Sequence, residues 1–299
     1  MITWIRAVYA QSTQRRFSRW LHNNRIQAYR VYAPLIRAVL FDWQDPVLYV
    51  ALDITMLWDS YCVIRLSLIY RGRAIPLVWR VLRHSSSSVA FGRYRRLLQQ
   101  AALLLPNGVE VVLLADRGFI NAPFARWLPT TLGWRYHVRL KAICWFQYRG
   151  QWRQLKQVHL WPGEALLLCQ VNLFKHKSLS QVHLALASDP VSGQFWAIIS
   201  DRPTTLQTLW DYAKRFDIEK NFLDDKSNGF QLESSGLRHP QALSRLLLVI
   251  AVATLFLTLQ GTALVDAKGR RWVDTHWQRG LSYFKLGWKW VKQSLSRGR

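Results

Sequence analysis

Glutamate is scarce in this chain: 299 residues hold four, Glu110, Glu164, Glu219 and Glu233. Acids of both kinds number 17 against 41 lysines and arginines, a net charge of +24. Solubility alone does not call for such an excess; it favours a polyanionic partner, either nucleic acid or an anionic membrane surface. Cysteine is scarce as well. Cys62, Cys144 and Cys169 are far apart and odd in number, so they give neither a disulfide framework nor a zinc spacing, and a reducing, cytoplasmic compartment fits. The eight histidines contain no H-x-x-x-H pair, which argues against a histidine metal centre. A secretory leader is not expected, because Arg6 breaks the first apolar run and the basic residues follow it. No internal repeat or long low-complexity segment is visible.

Half of the residues are hydrophobic, enough for a core in a chain of this length. Residues 1–44 read as a basic helical segment, with Arg15, Arg16, Arg19, Arg25, Arg30 and Arg37 among apolar positions, and are expected to form a DNA-contacting arm. From residue 45 the pattern turns to strands: VLYVALDITMLW (47–58), YCVIRLSLIY (61–70) and AIPLVWRVL (74–82). A helix is expected over 89–105, with its N-cap in the polar HSSSS loop (84–88). VEVVLLADRGF (109–119) is then a buried strand that finishes on Asp116. Residues 134–200 read as β-rich, and a helix follows Thr204. Leu246–Val265 carries no charge and is long enough to cross a membrane, but Thr254, Thr258, Gln260, Gly261 and Thr262 favour a buried core helix. The segment 241–299 is read as helical, with a basic and aromatic tail.

The stretch YAKRFDIEKNFLDDKSNGFQLE (212–233) holds two of the four glutamates. Wound as one α-helix at about 100° per residue, it places Tyr212, Arg215, Glu219 and Lys226 within about 60° of one another, beside Phe216 and Leu223. The opposite face would carry Ala213, Lys214, Asp217, Lys220, Asn221, Asp224 and Asp225. Charges on a core-side stripe are costly unless paired or used. An Arg215–Glu219 pair four residues apart is the plain explanation, and a functional site is the other. Asp59, Asp217, Asp224, Asp225 and Glu233 read as loop or solvated-face charges, while Arg117 either orders a site or pairs with a nearby acid. Asp53 sits inside an apolar strand, and Asp116 closes another at its C-terminal end, where ligands commonly bind. Two strand aspartates and a helix glutamate that converged would repel unless a divalent cation joined them, and Mg²⁺ favours carboxylate oxygen. Two such ions about 4 Å apart serve phosphodiester chemistry.

Asp53 in LDIT, Asp116 in ADRGF and the spacing Tyr212-x2-Arg215-x3-Glu219-x6-Lys226 resemble the acid triad and Y-R-E-K signature of bacterial insertion-sequence transposases with DDE chemistry, the insertion sequence four family. The resemblance covers roughly residues 45–240. It implies an α/β, ribonuclease H-like catalytic fold (a mixed sheet flanked by helices) over 45–240, with a β-rich insertion at about 134–200 and helical N- and C-terminal segments. It also implies metal-dependent DNA cleavage at the ends of an insertion element, followed by strand transfer. Asp53, Asp116 and Glu219 would then be catalytic and hold two Mg²⁺ ions, with Mn²⁺ able to substitute, while Tyr212, Arg215 and Lys226 contact DNA phosphates. The partners implied are double-stranded DNA and, in the synaptic complex, a second copy of the chain; a membrane is not among them. Trp145 or Trp152 would stack on a distorted or flipped base, or else pack in the core. The family commonly carries a longer N-terminal DNA-binding region than residues 1–44 provide, so a shortened copy that only binds DNA is the alternative.

Overall fold

The computed structural model describes residues 2–176, 178–276 and 280–297. Two helices come first, α1 (Ile2–His22) and α2 (Ala28–Leu40), then three strands, β1 (Val47–Leu57), β2 (Tyr61–Tyr70) and β3 (Arg73–Arg83). Arg71 and Gly72 join β2 to β3 with φ of 47° and 75°, the two-residue hairpin geometry that matches the natural twist of the strands. Helix α3 (Phe91–Ala102) leads to β4 (Glu110–Ala115), and α4 (Ala122–Trp127) leads to β5 (Arg135–Arg139). The expected serine cap of α3 is absent. Its N-cap is Ala90, without a side-chain bond, and Ser86 instead closes a local turn by accepting from the Ser88 N–H.

Five more strands follow: β6 (Trp145–Tyr148), β7 (Gln151–Gln154), β8 (Ala165–Leu173), β9 (Leu179–Ser188) and β10 (Phe195–Ser200). They continue the same sheet, whose order is β3-β2-β1-β4-β5-β10-β9-β8-β6-β7. β1 and β5 run parallel to β4, and the other neighbours pair antiparallel. The remaining helices are α5 (Leu206–Ala213), α6 (Phe216–Leu223), α7 (Pro240–Asp266) and α8 (Tyr283–Ser296).

Side chains alternate across a strand, and β1 uses both faces. Leu48, Val50 and Leu52 enter the main core with Tyr32 and Ile36 of α2, Leu97 and Leu98 of α3, and Leu248, Ala251 and Leu255 of α7. Ala51 faces the other way, against Ala74, Ile218 and Phe222. The result is a large mixed sheet with helices on both faces, and Asp53, two residues on from Ala51, belongs to the α6 side.

Among the described residues α7 is the one helix long and apolar enough to cross a membrane, and 61% of its apolar window is buried in the protein. Two of its polar side chains are satisfied internally: Thr258 Oγ1 donates to the Thr254 carbonyl at 2.7 Å, and Arg245 donates to the carbonyls of Leu21 and Ile26 at 2.7 and 3.0 Å, while the Thr254 and Thr262 hydroxyls are buried without a partner among the described residues. Gly261 and Gly287 let α7 and α8 meet backbone to backbone, for a Cβ on Gly287 would lie 1.8 Å from the Leu257 carbonyl oxygen. Gly287→Ala sets two effects against each other. Alanine is the better helix former by about 1 kcal/mol, but prising the helices apart costs roughly 1–3 kcal/mol. The expected outcome is a lower melting temperature; a higher one would show that the two helices do not touch there.

Candidate active site

Strand register brings the two aspartates together. Leu52 of β1 pairs with Ala115 of β4 in a parallel ladder. Asp53 and Asp116 are the next residues on two chains about 4.8 Å apart. Asp53 Oδ1 accepts from the Ile54 N–H at 2.8 Å. Asp116 is half-buried just beyond the end of β4, and Arg117 beside it is exposed.

The glutamate arrives on a broken helix, not the continuous one expected. α5 stops at Ala213, α6 begins at Phe216, and beyond Leu223 the chain widens into a π-helical turn over Asp224–Asn228. Arg215 stands at the break with its side chain buried. Its Nε donates to Tyr212 Oη at 3.1 Å, one terminal nitrogen donates to Asp53 Oδ2 at 3.1 Å, and the other donates to Glu219 Oε1. Tyr212, Arg215, Glu219 and Asp53 thus form one connected cluster. Lys226 is outside it: its Nζ lies 3.7 Å from Glu233 Oε1 in the wide turn. The expected solvated face is also corrected. α6 buries Asp217, Ile218, Asn221 and Phe222, while Glu219 is 51% and Leu223 52% exposed.

The electrostatics follow from this crowding. Burial pushes the Asp53 carboxyl up from 3.8 to about 6; Arg215 and the Ile54 N–H pull against that, and Glu219 and Asp116 add to it. Burial opposes the charge on Arg215, but Tyr212, Asp53, Glu219 and Asp116 outweigh it and hold the guanidinium protonated beyond its usual range. Burial pushes the Tyr212 hydroxyl up to about 12, Arg215 pulling it down and Asp116 pushing it up.

Beneath the cluster lies a second set of charges that the sequence reading left in solvent. Asp224 and Asp225 are buried against two buried arginines. Arg65, in the middle of β2, donates to Asp225 Oδ2 and to Asn221 Oδ1 (2.6 Å), with the Phe222 ring 4.0 Å from its guanidinium carbon. Arg73 donates to Asp224 Oδ2 at 2.6 Å and to Ser282 Oγ at 2.9 Å. Asp217 is buried too and accepts from Lys220 at 3.0 Å, whereas Asp59 and Glu233 are exposed as expected. Arg65 is the direct cross-strand partner of Asp53. The signal for it was a charge inside the apolar run YCVIRLSLIY, the same kind of signal that singled out Asp53.

Whether these acids suit a divalent cation was tested on their arrangement. Among the described residues no three of His, Cys, Asp and Glu stand close enough to share a metal ion, and Arg215 occupies both Asp53 and Glu219. The donor set still fits in kind, since hard carboxylate oxygens suit Mg²⁺. Trp145 and Trp152 are half-buried on β6 and β7, and Lys175 Nζ lies 4.6 Å from the Trp145 ring centre.

No protein-family model and no curated protein matches the chain. Among solved structures it is similar to the piggyBac transposase of a synaptic complex with hairpin DNA, at TM-score 0.45 and 10% identity, over 86% of this chain and 54% of that one. It is also similar to Marinitoga piezophila Argonaute in complex with 5′-hydroxyl guide RNA and target DNA, at TM-score 0.27 and 8% identity, over 68% of this chain and 29% of that one. The chain spans about half the length of the piggyBac chain. At TM-scores under 0.5 neither likeness decides fold or activity.

Two outcomes are expected from this geometry. The unfolded chain releases the Asp53 proton near 3.8 and the folded chain near 6, so the folded state holds that proton more tightly. Its contribution to stability is present below about 4 and lost as pH rises through about 6, by up to about 3 kcal/mol. Asp53→Asn should remove that slope; equal pH dependence of the melting temperature in both proteins between pH 4 and 7 would refute it. Arg65→Ala leaves Asp225 buried without its partner and should cost about 3–5 kcal/mol in denaturant unfolding, while Arg65→Met with Asp225→Leu should recover most of that.

Proposed function

We propose that this protein is a DDE transposase that cleaves DNA strands at the ends of an insertion element and joins them to a target. The observation that carries the reading is Asp53 on β1 and Asp116 just past the end of β4, each following the paired residues Leu52 and Ala115 of two adjacent parallel strands, with the Tyr212–Arg215–Glu219 cluster packed against Asp53. The fold proposed is ribonuclease H-like over residues 45–240, with the β-rich insertion at about 134–200, the region of β5–β10. Asp53, Asp116 and Glu219 would hold Mg²⁺ or Mn²⁺, in the two-ion form. A bound pair of such ions supplies activation of the attacking oxygen and stabilisation of the leaving oxygen in phosphodiester chemistry.

The chain's own residues bind and orient the substrate. Arg215 offers a planar fork of donors suited to a phosphate. Tyr212 holds that fork in place, since its hydroxyl accepts from Arg215 Nε. Lys226 is a point charge on a turn that leaves its side chain one-quarter exposed, suited to a second phosphate once it parts from Glu233. Burial around Asp53 limits water at that carboxylate, while Glu219 stands open to solvent. Duplex DNA is the proposed partner, with a second copy of the chain to bring two ends together, in the cytoplasm.

One observation favours a second reading, a remnant that binds DNA without chemistry: Asp53 and Glu219 are both engaged by Arg215, and the three acids do not form a cradle. Both readings meet in one experiment. With Mg²⁺ and DNA carrying the native flanking ends, the wild-type chain should cleave and join strands. Glu219→Ala should lose this by at least about a hundredfold, more than the loss of an outer-shell partner produces, with DNA binding retained. Binding without cleavage by the wild type would establish the remnant, and equal cleavage by the variant would remove Glu219 from the site.

A further inference from the structure

The basic tail noted in the sequence finds no use in the site above. In the structure it contains α8, whose two sides are unlike. Phe284, Leu286 and Gly287 are buried, and Phe230 packs on Phe284 and Trp288 with ring centres 6.2 and 5.3 Å apart. The outer side carries Lys285, Lys289 and Lys292, all exposed. Steps of four and three residues put them on one helix face, a straight stripe about 10 Å long.

We infer that this lysine stripe is a backbone-contact surface for duplex DNA, carrying the substrate's flank away from the carboxylate cluster; the inference rests on the proposed reading of that cluster. Folding does not explain the stripe, because like charges three and four residues apart weaken a helix. Among the described residues an acid stands beside it only at Lys285, next to Asp224. From Ala267 to the end of the chain the one acid is Asp274, whose side chain is fully buried and accepts from the Leu281 N–H at 2.7 Å. Lys289 and Lys292 make no ion pair with a described residue.

The stripe is tied to the site through contacts around the buried Asp224. Lys285 Nζ lies 3.8 Å from Asp224, two positions before Lys226. Arg73 joins Asp224 to Ser282, the N-cap residue of α8. On this inference the phosphates of the flank pass Lys226 and then the lysines of α8. Flexible ammonium groups in a row fix a duplex by its backbone and read no bases. A membrane surface fits less well: a helix lying on lipid presents its apolar side to the bilayer, and α8 has turned that side inward onto α7.

The test uses the full chain and a double variant, Lys289→Gln with Lys292→Gln, which spares Lys285 and its contact with Asp224. Binding to a fluorescent duplex is followed by anisotropy across a salt series. Each phosphate contact contributes about 0.9 to the slope of log affinity against log salt, so the variant's slope should be shallower by about 2, with affinity roughly ten- to a hundredfold lower at 0.1 M salt. Its melting temperature should match the wild type. An unchanged slope and affinity would overturn the inference, as would a variant that loses binding to phosphatidylserine vesicles but not to DNA. The two readings fail separately. A wild type that binds duplex through the stripe but cuts nothing leaves this surface standing and removes the catalytic reading. A wild type that cuts, alongside a double variant that binds as well as it does, removes the surface alone.

Discussion

A buried guanidinium in the middle of β2 sets the position of everything above it. Arg65 cannot remain charged inside the protein without partners, since isolating an ion there costs several kcal/mol. Its partners come from one stretch, Asn221 and Asp225, with Phe222 between them against the ring face. An apolar helix face alone tolerates a slide or a small rotation. A planar fork that must meet two acceptors at hydrogen-bond distance does not. Arg73 repeats the constraint one strand over, through Asp224. Together they fix the rotation of α6, and that rotation sends Glu219 outward to the rim, beside Asp53. The acid the helix serves is the cross-strand neighbour of the arginine that seats it.

Above this foundation the cluster has a charge problem that Arg215 solves only in part. Tyr212 and three acids bear on one buried guanidinium, and together they outweigh the cost of burial and hold it protonated. Asp53 nonetheless keeps its proton more tightly than a free aspartate does. That tighter hold comes first from burial, with Glu219 and Asp116 adding to it against the pull of Arg215. In the proposed reaction the same five N–H donors have two kinds of acceptor to serve, a carboxylate and a phosphate. Whichever holds the fork leaves the other to be compensated by a different cation.

Much of this was legible in the sequence, for reasons specific to each residue. Asp53 and Asp116 stood out because a charge inside or at the end of an apolar strand breaks the pattern that forms the strand. The spacing of three and four residues brought Tyr212, Arg215 and Glu219 together even though the helix breaks at Lys214 and Arg215, since a single loosened turn keeps near neighbours near. Lys226 lay far enough along for the π-helical turn to carry it elsewhere. Asp217, Asp224 and Asp225 were misplaced because helical periodicity is a local signal, whereas the arginines that draw the last two inside lie some 150 positions earlier in the chain. The β6–β10 strands were visible as strands, but hydrogen bonding between strand edges, which makes them one sheet with the first five, leaves no mark on composition.

The net charge of +24 therefore mixes two populations that the structure separates by chemistry. The buried cations are arginines: Arg65, Arg73 and Arg215 on carboxylates, and Arg245 on backbone carbonyls where α1 turns into α2. No described lysine is buried. This division follows from the side chains themselves. A guanidinium is weakly hydrated and meets several acceptors in one plane, so it can be taken out of water when those acceptors are arranged for it; an ammonium is strongly hydrated and stays at the surface. Arg65 and Arg73 cancel locally against Asp225 and Asp224 and tell nothing of a partner. The excess that does bear on a partner is on the outside, where screening and phosphate, not the fold, determine what each lysine is worth.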